Sequence, residues 1–186
     1  MTDTNTFARS LHDLGVAAWF GGSLMGAVGL NGAAAEASDP TERARISTKG
    51  WKKWAPINAA AIGAHLAGGA LIVGANKSRI AGQDGVATWI LGKTVLTGAA
   101  LAATAASGYY GKKMTAAESQ GVQAVGSTEP TSETPDDIAK AQKALRPLQW
   151  AIPVLTGALL IASARMGEQQ RPAEVSTGLL ETLTPA

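Results

Sequence analysis

The chain contains no cysteine, which excludes disulfides, thiolate metal sites and thiol catalysis. Histidine is almost as scarce: His12 and His65 are the two in the sequence. Met25 is the one methionine within a long apolar run, so a buried copper site has few soft ligands to draw on. Charge is thin as well. Asp, Glu, Lys and Arg make up 16% of the residues, against roughly 25% in soluble domains. A net charge of +2 is too small to argue for a nucleic-acid partner. No nucleophile–base pair and no phosphate-binding loop is present, so the reading is of a protein that is not an enzyme and carries no cofactor.

The sparse charges leave long gaps. Leu14 to Ala35 is 22 residues without a charge, Trp54 to Asn76 is 23, and Pro147 to Ala164 is 18. Gly85 to Gly111 is 27 residues interrupted only by Lys93. About 20 apolar residues suffice for a helix to cross ~30 Å of hydrocarbon. A soluble helix of this length would show a polar face, yet Leu14–Ala35 offers only Ser23 and Asn31. The mean hydropathy of +0.07 is low for such a protein because Ala and Gly are weakly hydrophobic and two polar loops dilute the average. The expected fold is all-α: a single integral membrane domain over 1–186, a four-helix bundle with spans at 14–35, 54–76, 85–111 and 147–164. The first 13 residues carry Asp3, Arg9 and Asp13 and lack a clean basic leader, so the first span reads as a retained helix.

Basic residues give the orientation. Arg9, Lys77, Arg79, Arg165 and Arg171 fall on the side of the termini. Arg43, Arg45, Lys49, Lys52, Lys53, Lys112, Lys113, Lys140, Lys143 and Arg146 fall in the two long loops. The positive-inside rule then places the loops in the cytoplasm and both termini, including a tail over 171–186, outside. Trp51, Trp54, Tyr109, Tyr110 and Trp150 lie at the cytoplasmic helix ends, where aromatic belts form. The Ala/Gly bias is that of a high-GC bacterial plasma-membrane protein.

The chain also reads as an internal duplication. Gly15-Val16-Ala17-Ala18-Trp19 matches Gly85-Val86-Ala87-Thr88-Trp89, with Gly22 matching Gly92 and Ser23 matching Lys93. Asp39-Pro40-Thr41-Glu42 and Thr134-Pro135-Asp136-Asp137 each place a capping residue before an N1 proline, so a short cytoplasmic helix is expected before spans two and four. The two hairpins would be parallel copies, with 114–133 a disordered cytoplasmic insertion. On Pro135–Leu145, Ile138, Ala141 and Leu145 share one face, which suits an interfacial helix on anionic lipid or a subunit-docking surface.

Lipid is as apolar as leucine, so small residues that let backbones approach drive packing. Gly22-x-x-x-Gly26, Ala60-x-x-x-Ala64-x-x-x-Gly68 and Gly98-x-x-x-Ala102 are the candidate packing faces. Lys93 is the most costly residue, at roughly 2.5–3.5 kcal/mol for a lysine within a span. Counting ~1.5 Å per residue puts it about 12 Å deep, level with His65, Ser23, Thr97 and Thr156. These five form a candidate polar cluster for an anion, a proton or a quinone-type headgroup. The alternative is structural: Lys93 snorkels and His65 bonds a carbonyl or threonine of a neighbouring helix. The same counting puts His12 more than about 10 Å from the level of His65, which argues against bis-histidine haem.

His12-x-Leu14-x-x-x-x-Trp19-x-Gly21-Gly22 resembles the first helix of small bacterial membrane proteins, the copper-resistance D-like domains and related four-helix domains. That resemblance implies a four-helix membrane domain and a link to copper or haem handling, with His12 as the matching residue. Two functions are expected from these features. One is an accessory or structural subunit of a larger membrane complex, such as a respiratory assembly, with the lipid bilayer and other membrane subunits as partners. The other is a small-molecule or ion carrier using the Lys93/His65 level.

Overall fold

The computed structural model describes residues 3–77, 86–121 and 123–168; the expected tail over 171–186 lies outside them. The fold is an all-α four-helix bundle. Helix α1 (Asp3–Met25) runs through a π-helical segment (Gly26–Leu30) into α2 (Asn31–Ala35). Next along the chain come α3 (Pro40–Ala75), α4 (Val86–Glu118), a strand pair β1 (Ala124–Gly126) and β2 (Glu129–Pro130), and α5 (Asp136–Glu168). Four helices are long and apolar enough to cross a membrane. Phe7, Leu14, Val28, Ile57, Leu71, Leu91, Val95, Val154 and Ile161 point outward from all four. That places large apolar side chains where a soluble bundle would carry its polar face. The chain is a multi-pass membrane protein.

The helices start where the local chemistry says they should. Asp39 Oδ1 accepts from the Thr41 backbone N–H at 2.8 Å and from its hydroxyl at 2.7 Å, and Pro40 fills N1. These donors hold the Asp39 carboxyl below its ordinary range. A depressed folded value means the cap is fully present above the unfolded pKa of about 3.9 and is lost as pH falls through the lower folded value. Hydrogen exchange over residues 40–45 should therefore stay slow below the pH at which free aspartate protonates, whereas Asp39→Ala should fray the first turn at neutral pH. Thr134 behaves differently from Asp39. Its hydroxyl accepts from the Thr131 backbone at 2.9 Å and lies 3.2 Å from the Gln123 carbonyl, and the Pro135 carbonyl starts α5.

No separate short helices precede spans two and four. Instead α3 has 36 residues and α5 has 33, roughly 50 Å each at ~1.5 Å per residue. Each continues its span well beyond the hydrocarbon, through Pro56 in α3 and through Pro147 and Pro153 in α5. The segment expected to be disordered is also structured. Met114–Glu118 extend α4, and β1 pairs antiparallel with β2. The reason is tertiary. Met114 and Ala117 bury against Ile138 and Ala141, Gln142 Nε2 donates to the Gly126 carbonyl at 3.3 Å, and Arg43 reaches the Val125 carbonyl at 3.2 Å. The apolar face of Ile138, Ala141 and Leu145 thus docks on α4, not on lipid.

Helix α1 packs most extensively on α3, and α4 on α5; α1 also meets α5, while α3 and α4 touch little. Trp19, Ala100, Ala103 and Ile152 form the central cluster, where Trp19 Nε1 donates to the Thr104 hydroxyl at 3.2 Å. Positions paired by the proposed repeat have unlike surroundings. The Trp54 ring lies against Gly22, while Gly92 has nothing within 4 Å of where a Cβ would stand.

Candidate functional site

The register of α1 on α3 decides what meets at each level. At Gly15 a Cβ would stand 2.5 Å from the Ala61 carbonyl oxygen and 2.5 Å from the His65 nitrogen. At Gly68 it would stand 2.5 Å from the His12 nitrogen and 2.6 Å from the Ala8 carbonyl oxygen. These are backbone-to-backbone approaches that only glycine allows. Of the expected packing residues, Gly68 belongs to this face. Ala60 is exposed and Ala64 half-buried, while Ala61 and His65 are buried. In a helix, one residue is a rotation of about 100°, enough to turn Ala60 outward. Gly22 and Gly26 pack, but against the Trp54 and Trp51 rings; those tryptophans turn into the bundle and not to a headgroup belt. Gly98 and Ala102 face outward.

This register brings His12 level with His65, contrary to the depth count. Placing the charge-free windows end to end pairs Leu14 with Asn76. The helix, however, is already regular from Asp3, and α1 sits about three turns lower on α3. The histidine rings stack with centroids 4.0 Å apart and planes 20° from parallel. His12 Nδ1–H donates to the His65 carbonyl at 2.8 Å, and His65 Nδ1–H donates to the His12 carbonyl at 3.1 Å. That fixes both tautomers, leaving each Nε2 as an acceptor. Lys93 Nζ donates to His12 Nε2 at 3.1 Å, and the Thr97 hydroxyl lies 3.5 Å from His65 Nε2. Asp13 follows His12 on α1, inside the Thr6–Ala35 stretch that is long and apolar enough to cross a membrane, so the span takes in a carboxylate residue that the charge-free window left out.

Lys93, His65 and Thr97 are therefore together, joined by His12. The other two do not bond to it: Ser23 lines the cavity at the other end of the bundle, and Thr156 spends its hydroxyl on the Ile152 carbonyl of its own helix at 2.7 Å. The cluster is a clasp between α1, α3 and α4. Haem does not fit it. Bis-histidine ligation needs two Nε2 atoms facing each other across iron, and stacked rings direct both along the ring planes. Among the described residues no three His, Asp or Glu side chains gather to hold a metal ion.

Lys93→Met separates two opposed effects. It removes a charge-assisted hydrogen bond worth about 1.5–3 kcal/mol and also the roughly 2.5–3.5 kcal/mol cost of a lysine in the span. The expected result is a change within about 1 kcal/mol, read as unfolding in mixed detergent micelles.

At the opposite end of the bundle, a partly open cavity of about 420 Å³ lies between α3 and α4, bordered by α5 and the β1–β2 turn. Asn31, the residue after the π segment, lines one side. The Asn31 N–H donates to the Gly26 carbonyl, and the extra residue in that turn re-aims the start of α2. Asn31 Oδ1 then accepts from Ser47 at 3.0 Å and Trp51 Nε1 at 2.9 Å, while its Nδ2 donates to Gln149 Oε1 at 2.9 Å. Ala55, Ala59, Ile62 and Ile152 supply an apolar floor, and Lys52 and Lys112 also line the space. Six buried side-chain polar atoms among the described residues lack a partner. Five belong to residues lining this cavity: Trp54 Nε1, Asn58 Oδ1, Ser107 Oγ, Ser127 Oγ and Gln142 Oε1. Sequence reasoning missed this site. Its one local signal was Asn31, alone with Ser23 among the polar residues of the first span. No protein-family model, curated protein or solved structure matches the chain.

Proposed function

We propose that the chain is a membrane-embedded binding protein for a small amphiphilic molecule, held in the cavity between α3 and α4. The observation that carries this reading is a mainly apolar space of about 420 Å³ within the bundle, lined by Ala55, Ala59, Ile62 and Ile152 and edged by Lys52 and Lys112, the make-up of a site for a small amphiphile. The site differs from the Lys93/His65 level, where the histidines spend their donors on each other's carbonyls. The test is native mass spectrometry of the protein extracted in mild detergent. Retention of a small molecule, lost when Ser107→Trp fills the cavity, supports the reading; identical empty spectra for both proteins oppose it.

A second reading, the accessory subunit of a larger bacterial membrane complex, rests on α4. Gly98 and Ala102 face outward, with nothing within 4 Å of a Gly98 Cβ, the small-residue surface that a further membrane helix packs against. Stoichiometric co-purification of another membrane subunit, abolished by Gly98→Leu, would establish it. For orientation, the ten basic residues of the long loops place that end in the cytoplasm. Ser132→Cys should resist an impermeant thiol reagent in intact cells and Lys77→Cys should react; the reverse pattern inverts the topology.

A further inference from the structure

The charges around the cavity define the head it takes, an inference that rests on the binding reading above. Lys52 and Lys112 line the space, and among the described residues no Asp or Glu does. Neither lysine forms an ion pair among the described residues. Glu42, Glu118 and Glu129 answer other cations, namely Arg45, Lys49 and Arg146. An ammonium carries three donors and no acceptor, so two of them around one space suit an oxyanion.

The sequence sets these charges at the edge of an apolar path. On α3, Lys52, Ala55, Ala59 and Ile62 line the space at helical spacing, and on α4 Lys112, Gly108 and Thr104 do the same. Lys52 stands just before the charge-free run Trp54 to Asn76, and Lys112 just after the run Gly85 to Gly111. Both ammonium groups therefore belong to the depth of lipid headgroups, where basic residues gather. Ile62 lies about 15 Å further along α3, at ~1.5 Å per residue, and the small residues between leave room for a chain. A volume of about 420 Å³ is near the lower end of ligand sites, roughly 300–1,000 Å³, which suits one chain and not two. The adjacent lysines are placed differently. Lys53 does not line the space, and Lys113 Nζ rests 5.3 Å from the centre of the Tyr109 ring.

We propose that the cavity binds a single-chain amphiphile whose anionic head, a carboxylate or a phosphate, is held by Lys52 and Lys112.

Four probes sharing one brominated chain test this in nanodiscs of zwitterionic lipid at mildly alkaline pH: the fatty acid, the alkyl phosphate, the methyl ester and the trimethylammonium salt. Binding is read as saturable quenching of tryptophan fluorescence, since Trp51 and Trp54 line the space. At least one anionic probe should bind about fivefold or more tighter than the methyl ester, as expected of two partly screened ion pairs. The tighter of the two anions identifies the head. Lys52→Gln with Lys112→Gln should bring that preference below about twofold and leave the methyl ester's affinity unchanged. Lys53→Gln with Lys113→Gln removes the same charge from the same level and should keep the preference. Equal binding of all probes, tightest binding of the ester or the ammonium salt, or equal loss of preference in the two double variants overturns the anionic head and leaves the binding site standing. Absence of saturable quenching by any probe, or quenching that Ser107→Trp does not reduce, overturns both. Should Ser107→Trp fail to fold, Gly108→Trp takes its place, because a Cβ there meets nothing within 4 Å.

Discussion

Gly15→Leu is expected to be the most damaging single substitution in the molecule. A Cβ at this position meets the Ala61 carbonyl oxygen and the His65 nitrogen at 2.5 Å each. Both are backbone atoms of the facing helix, so no side chain can rotate away. Overpacking in a close-packed interior costs typically about 1–3 kcal/mol when side chains can adjust. Here α1 and α3 must separate instead, which also breaks the histidine hydrogen bonds and opens Gly68 against His12. A loss of more than about 3 kcal/mol is expected, seen as failure to survive size-exclusion chromatography in mild detergent. Gly92→Leu is the control. It lies on α4 with nothing within 4 Å and should leave the protein unchanged, because a leucine there faces the hydrocarbon.

The second large effect concerns the histidine pair. His65→Ala deletes a buried ring, its hydrogen bond to the His12 carbonyl and its stacking contact, and exposes the Trp19 edge 6.3 Å away. Truncation of a buried ring to alanine leaves a cavity as well as lost contacts, so a cost of about 2–4 kcal/mol is expected. His12→Ala loses a comparable set, including the acceptor for Lys93. Because each ring stacks on the other, a double-mutant cycle should show a coupling energy of about 1–3 kcal/mol. Equilibrium unfolding in mixed micelles measures it. Additivity within about 0.5 kcal/mol would mean that the two rings are neighbours without being partners.

Both predictions depend on inter-helical register, the feature least legible in the sequence. Number, type and approximate extent of the helices follow from where charges are missing, and the start of α3 follows from Asp39, Pro40 and Thr41. Those are local properties. Register is not local. In an Ala/Gly-rich span nearly every turn offers a small residue, so Ala60 and Ala61 are equally good candidates by composition and only the partner surface chooses between them. The same ambiguity set His12 apart from His65, since charge-free windows mark hydrocarbon tolerance and not helix limits. Asn31 likewise needed the π segment to turn it toward Ser47, Trp51 and Gln149. The order in 114–133 comes from contacts with α3 and α5 that composition does not encode. Lys93, His65 and Thr97 were identifiable because polar groups are conspicuous in a span. The cavity was not, because Ser107, Asn58 and Gln142 are inconspicuous until the helices place them around one space.

The most direct test of a binding function is the small-molecule content of the purified protein. Native mass spectrometry with organic extraction should find a small amphiphile in near-stoichiometric amount, and should find it missing from a stably folded Ser107→Trp variant. A wild-type protein that releases nothing, or releases the same bulk lipids as the filled variant, would contradict a binding function for the cavity.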